Sequence, residues 1–310
     1  VSIQGIERSR SLPTTANDRI EHSTNINSVK SNIINIINSH SEEQVGIFSI
    51  FDHASKYENP NFKMYIDQVQ SKSEHNCICA VTRQGTYSLT VTDVSSIIEQ
   101  DWITESTLNF MGMILIDKFQ QVSHIYPSHF MGSILRENND TPGYNFSLVH
   151  AWHKDISATV NNLYIPIHIS NLHWMVSQFD FLGKTISLWN PSNNTSCNEK
   201  YLMYLKTYAE NVSESFTSLL AETRWTHTSK IKWSGTWKIQ DMSNQCPKVE
   251  IYEDAGIFTL LNMTLLIHGK KLTRDQYSQR EIFQRKTRLR IAGIIHENID
   301  WEEMRQHNFN

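Results

Sequence analysis

The chain has 310 residues, room for one large domain or two small ones, and its eight Trp and thirteen Phe can build a sizeable core. A formal charge of −4 leaves no basic footprint for nucleic acid, and no apolar run is long enough to cross a membrane. Four cysteines, two of them in Cys77-Ile78-Cys79 with no second pair at zinc spacing, predict free thiols in a reducing compartment and neither metal nor cofactor.

A hydrophobic fraction of 39% is somewhat low, so polar segments are expected between packed ones. No secretory leader pattern opens the chain, and a start at Val1 suggests a piece of a longer protein. Residues 1–75 are expected to be a polar N-terminal tail plus a short helical segment, in which Ile26, Val29, Ile33, Ile36 and Ile37 recur at helical spacing. Further apolar elements are expected over 47–51 and 62–69. A folded domain should occupy 76–310.

Runs over 77–81 and 87–91 predict a hairpin, and Thr92-Asp93 a cap for a helix opening at Val94. Thr104-Glu105-Ser106 starts a second helix just after Trp102. Signals between 123 and 144 are mixed, and a helix is expected over 146–153. Three strands follow at 163–169, 173–181 and 185–190, the last two joined by the tight turn Leu182-Gly183-Lys184. A helix over 201–220, a strand over 230–240, a helix from Ala255 to about His268 and a basic helix over 277–295 complete the order. Helices, then clustered strands, then helices predict an α+β fold with a central, mostly antiparallel sheet flanked by helices. The basic run Arg285 to Arg290 is expected to be a solvated helix face.

Three positions then align. His173 opens one strand, Asn190 closes the next, seventeen residues on, and Ala255 heads a helix after Asp254 and before Gly256. In a tight antiparallel hairpin the first two are neighbours. Asn190 is expected to accept from His173 Nδ1–H, aiming Nε2 outward. A cysteine at 255, facing that imidazole at a helix N-terminus, would form a thiolate–imidazolium pair suited to acyl transfer. Each residue alone is ordinary: a His-Trp at a strand start is usually packing, and Asn-Pro an ordinary turn. Their joint spacing is not ordinary. Cys246 precedes a proline and heads no helix, so it is expected to be a structural thiol.

The stretches Tyr164-Ile165-Pro166-Ile167-His168-Ile169, Leu172-His173-Trp174, Phe179-Asp180-Phe181 and Asn190 resemble the core of the ubiquitin-like-protein-specific (sentrin-type) cysteine proteases, which share a clan with the adenovirus protease. Trp102-Ile103-Thr104-Glu105 with Asn109-Phe110 resembles the family's helix start, and the likeness spans roughly residues 90 to 300. The resemblance implies a protease domain over 76–310 that cleaves a ubiquitin-like modifier after its terminal Gly-Gly. His173 would be base and acid, and Asn190 would orient it. The Ala255 N–H with Gln245 would bind the oxyanion. Trp102 and Trp174, with Asp254 and Gly256, would contact the substrate, the two indoles flanking a narrow tunnel. Three departures stand out. The nucleophile position is Ala255, the usual acid is Asn190, and the family's oxyanion glutamine, six or seven residues before the nucleophile, falls at Val249 or Lys248. Gln245 lies ten before. An engineered Cys→Ala change is the preferred account of Ala255.

The expected partners are conjugates of ubiquitin, which the acidic balance favours, or of SUMO, with no nucleic acid and no membrane. The composition suggests a bacterial effector of the same clan, delivered into host cytoplasm or nucleus. A natural pseudoprotease serving as a binding module and a same-clan acetyltransferase are the alternatives.

Overall fold

A computed structural model gives the structure of the protein, describing residues 67, 77–82, 85–119, 122–134, 137–138, 141–142, 156, 159–169, 173–218, 232–280 and 287–298. The elements expected over 26–37, 47–51 and 146–153 lie outside the described residues, as does nearly all of the expected 1–75 tail.

The hairpin forms from β1 (Cys77–Thr82) and β2 (Gly85–Thr90), paired antiparallel. Helix α1 (Val91–Ile98) begins three residues before the expected Val94. Its cap is Thr90, whose Oγ1 accepts from Asp93 N–H at 3.2 Å while Asp93 Oδ2 accepts from Thr90 N–H at 2.6 Å. Asp93 is therefore the third residue of a reciprocal capping box, which ends the strand at Thr90. Helix α2 (Glu105–Phe119) starts where expected, with Thr104 Oγ1 accepting from Thr107 N–H at 3.2 Å. The mixed stretch resolves into β3 (Ser123–Ile125), α3 (His129–Ile134) and the two-residue strands β4 (Glu137–Asn138) and β5 (Thr141–Pro142).

The main sheet runs β3-β6-β7-β8-β9, with β6 (Asn162–Ile169), β7 (His173–Asp180), β8 (Thr185–Trp189) and β9 (Lys238–Asp241). Its central pairs, β6 on β7 and β7 on β8, are antiparallel as expected, and the two edge pairs, β3 on β6 and β9 on β8, are parallel, which makes the sheet mixed. The strand expected over 230–240 shrinks to β9. Trp237 Nε1 donates to the Trp233 carbonyl at 3.1 Å across a turn in which Gly235 has φ +104°, so both indoles are core anchors ahead of the strand. Helix α4 (Asn198–Ser218) lies between β8 and β9 in sequence, α5 (Ala255–Ile267) follows β9, and α6 (Thr287–Glu297) closes the described chain.

Period-two alternation divides the central strands. Leu163, Ile165, Ile167, Met175 and Phe179 face α3, α4 and the edge-on ring cluster of Phe179, Tyr208, Trp233 and Trp237. Tyr164 and Trp174 occupy the opposite face. There Tyr164 Oη donates to the Leu266 carbonyl of α5 at 3.0 Å. Covered on both faces, β6 and β7 need the near-continuous apolar runs their sequences carry. Helix α5 is buried almost all round, being the central helix against β7 and α2. The fold is α+β, with helices flanking the mixed sheet.

Candidate active site

The first residue of β7 and the residue after β8 meet as the hairpin requires. His173 Nε2 and Asn190 Oδ1 are 2.6 Å apart, and Asn190 is fully buried. The amide of Asn190 can point only one way. Its Oδ1 also accepts from Ser192 N–H at 2.8 Å, and its Nδ2 donates to the Asn194 carbonyl at 3.2 Å and to Asn198 Oδ1 at 2.7 Å. Backbone N–H only donates and backbone C=O only accepts, so Asn190 must offer oxygen to the ring. His173 Nε2 therefore carries the proton, and the neutral ring's lone pair sits on Nδ1. That corrects the expectation that Asn190 holds Nδ1 and aims Nε2 outward. Nε2, the ring nitrogen farther from its own backbone, is the one that reaches the neighbouring strand. Nδ1 is buried and has no hydrogen-bond partner among the described residues. Burial pushes His173 below its ordinary 6.5; the Asn190 bond opposes this, while the charges of Lys248 and His168 add to it.

A polar lattice backs Asn190. Ser243 Oγ accepts from Asn190 N–H at 3.1 Å and from Asn198 Nδ2 at 2.9 Å, and Asn198 Nδ2 also reaches Asp241 Oδ2 at 2.9 Å. Partial burial raises the Asp241 carboxyl, but the bonds from Ser243 and Asn198 outweigh it and hold the group below its usual range. Lys248 Nζ donates to the carbonyls of Asn190 and Ser192, each at 2.9 Å. Cys246 Sγ contacts the Asn190 carbonyl at 3.3 Å, and burial pushes its thiol up to about 12, consistent with a structural thiol. None of Asn198, Asp241 or Ser243 stood out in sequence, because isolated polar residues carry no periodic signal.

Ala255 opens α5, fully buried. Its N–H donates to the Tyr252 carbonyl, closing a short 3-10 turn over Tyr252–Asp254, so the expected oxyanion donor is already engaged. A Cβ on Gly256 would come within 2.9 Å of Ile103 Cβ and 3.2 Å of Trp174 Cδ1. Only glycine lets the helix approach this closely, and its contact brings the head of α5 against the residue next to His173. Gly256 thus serves packing here.

Trp174 has no exposed surface, contrary to the expected tunnel wall. Its Nε1 donates to the Ile103 carbonyl at 3.1 Å, and its ring stacks on His168 at 4.1 Å between centroids, tilted by 5°. His168 Nδ1 is 3.0 Å from Glu105 Oε1. Trp102 is half-buried and keeps part of its surface open. Asp254, expected to contact substrate, is buried and ion-paired with Arg288, with Gln279 on its other oxygen. Arg288 is itself 9% exposed, against the expectation of a solvated basic face. Gln245 is exposed on the short 3-10 turn Ser243–Gln245, its Nε2 4.0 Å from Met242 Sδ.

Residues 101–299 match the Ulp1 protease family, C-terminal catalytic domain. Human sentrin-specific protease 3 is 26% identical over 124 residues, 39% of this chain and 20% of that protein. The mouse protein of the same name matches equally. The chain spans about a fifth of the length of these curated relatives. Among solved structures, the C-terminal Ulp1 protease domain in complex with Smt3, the yeast ortholog of SUMO, superposes with a TM-score of 0.55 at 16% identity, covering 76% of this chain and 94% of that one. The SUMO protease Ulp1 with its catalytic cysteine oxidised to a sulfinic acid gives 0.57 at 16% identity, covering 77% and 96%.

Proposed function

The chain belongs to the Ulp1 protease family, and on that premise we propose that it carries the site of a cysteine isopeptidase removing a ubiquitin-like modifier from lysine, silent here because residue 255 is alanine. One observation carries the reading: His173 Nε2 is fixed on Asn190 while Nδ1 is buried, without a partner among the described residues, and forced to be the basic nitrogen. A buried nitrogen lone pair without a partner is costly as mere packing and useful beside a nucleophile.

With a cysteine at 255, Nδ1 takes the thiol proton and the thiolate attacks the carbonyl carbon of the modifier's terminal glycine. The imidazolium, steadied by the Asn190 oxygen, then gives its Nδ1 proton to the departing lysine amine as the C–N bond breaks, leaving a thioester on the enzyme. His173 next takes a proton from water, whose oxygen attacks the thioester and frees the thiol. The oxyanion would draw on the Gln245 amide, with the Ala255 N–H contributing only by sharing its bond to Tyr252. Trp102 would line the approach of the Gly-Gly tail. The −4 charge favours ubiquitin, with its basic tail, as the modifier. SUMO is the second reading, favoured by the names of the sentrin-specific and Ulp1 relatives. If the alanine is natural, the same site binds modifier without cleaving it. An intracellular setting, as a bacterial effector in host cytoplasm or nucleus, accords with the free thiols.

Ala255→Cys protein offered ubiquitin and SUMO probes with electrophilic C-termini tests this. A covalent adduct with one probe, lost again in His173→Gln, is the expected result. A folded Ala255→Cys protein that reacts with neither probe would sink the reading.

A further inference from the structure

We infer that Arg288 is a positioning residue of this site, its one buried guanidinium tying the segment that carries Trp102 to the turn that presents residue 255. One edge of the fork serves that turn. Nε and Nη2 lie 2.7 and 2.6 Å from Asp254 Oδ1, and Nη2 donates to the Glu253 carbonyl at 2.9 Å. The other edge serves the approach to Trp102. Nη1 donates to the Asp101 carbonyl at 2.8 Å and to the Ser96 carbonyl at 3.3 Å, near the end of α1. Only a planar cation with donors on both edges spans these two segments; a lysine ammonium reaches one of them.

The carboxylate at the far end of the fork matters as much. Asp254 occupies the N-cap position of α5, where an aspartate ordinarily accepts from first-turn N–H groups, yet its side chain makes no capping bond. Arg288 takes one oxygen and Gln279 the other, so the carboxylate is turned away from the helix end. A carboxylate released there would place negative charge where a thiolate and an oxyanion have to form, raising the thiol's pKa. Arg288 thus does two things at once: it fixes Trp102 relative to residue 255, and it keeps the Asp254 anion out of the helix terminus. The inference rests on position 255 being the nucleophile position.

Two variants test it: Arg288→Lys, whose single ammonium cannot hold the Asp254 carboxylate and the Ser96 and Asp101 carbonyls together and so loosens Asp254, and Asp254→Asn/Arg288→Met, which removes both charges. In the chain as it exists, hydrogen exchange should accelerate at least about tenfold in residues 96–104 and 250–257 of both variants and leave the β6–β8 strands unchanged. Uniform acceleration, or none, overturns the coupling. With Ala255→Cys added, the pH profile of iodoacetamide alkylation reads the thiol without any modifier. It should move upward in Arg288→Lys, slowing alkylation at neutral pH by roughly tenfold, and stay with the parent in the double variant. Profiles that coincide in all three, or an upward move in both variants, overturn the role assigned to Asp254. If the parent alkylates with a lowered pKa but takes no modifier probe, the isopeptidase reading fails while the positioning role stands or falls on these two measurements.

Discussion

The two halves of the site are held by different physics. On the sheet side, Asn190 is fixed by Ser192 N–H, the Asn194 carbonyl, Ser243, Asn198 and Lys248, a lattice made mostly of neutral dipoles. On the helix side, the turn before Ala255 is held by the ion pair of Asp254 with Arg288 and by Gln279 on the other carboxylate oxygen, and the head of α5 by the close approach of Gly256 to Ile103 and Trp174. The sheet side is redundant, so the direction of the imidazole survives the loss of most single partners. The helix side concentrates its geometry in a charge pair that cannot be halved. A buried pair costs desolvation on both ions, and removing one partner leaves the other unpaired.

Breaking the helix side should therefore have the largest effect. Arg288→Met alone strands the Asp254 carboxylate and should lower unfolding free energy by about 3–5 kcal/mol. Asp254→Asn/Arg288→Met should recover most of that. Urea denaturation of the two variants checks the comparison, and equal losses would refute the pairing argument. Next comes Gly256→Ala. Its new methyl would meet Ile103 Cβ at 2.9 Å, so α5 must shift away from Trp174. Overpacking of this kind costs about 1–3 kcal/mol and outweighs the gain in helix propensity. The sign of the change in thermal midpoint decides it.

The same asymmetry governs what the sequence made legible. The hairpin and the meeting of His173 with Asn190 were readable, because a tight turn and a seventeen-residue spacing fix strand neighbours locally. The glycine after Ala255 was readable as part of a motif, but its reason, a methyl's clash with Ile103 and Trp174, is a tertiary fact. Arg288 was misread because its partners lie far off in sequence; the Ser96 carbonyl is 192 residues away. A local charge run carries no trace of such a partner. Strand β3 has three residues and pairs parallel at an edge, too short for a period to show. The nitrogen facing Asn190 was also beyond reach, since ring orientation depends on a rotamer rather than on spacing.

On the sheet side, Asn190→Ala is the sharpest single test. It removes the acceptor of both the Ser192 N–H and the His173 Nε2–H, two groups left buried without that oxygen. A cost of about 1–3 kcal/mol is expected. The more telling readout is the tautomer. Imidazole 15N resonances of His173 should show a protonated Nε2 in the parent and a mixture of tautomers in the variant. Asn198→Ala, by contrast, leaves the backbone partners of Asn190 in place and should keep Nε2 protonated, at a cost of about 1 kcal/mol. A tautomer mixture in Asn198→Ala would show that the lattice is less redundant than its geometry implies.

The smallest expected effect links the two halves through pH. His173 titrates below its ordinary 6.5 in the folded chain, burial being the main cause. Between the folded value and 6.5 the unfolded chain binds more protons, so stability rises with pH across that window. The contribution is complete above 6.5 and is lost as pH falls through the folded value. Subtracting the pH–stability curve of His173→Gln from that of the parent isolates it from the other histidines. The difference should fall by under about 1.4 kcal/mol per pH unit, the limit for one proton. Ala255→Cys should then move the folded value upward, because a thiolate beside Nδ1 favours the imidazolium. The acid-side loss would then shrink, or invert once the folded value passes 6.5. If the titration of His173 is the same with alanine and with cysteine at 255, the helix side and the sheet side do not form one site, whatever each half does alone.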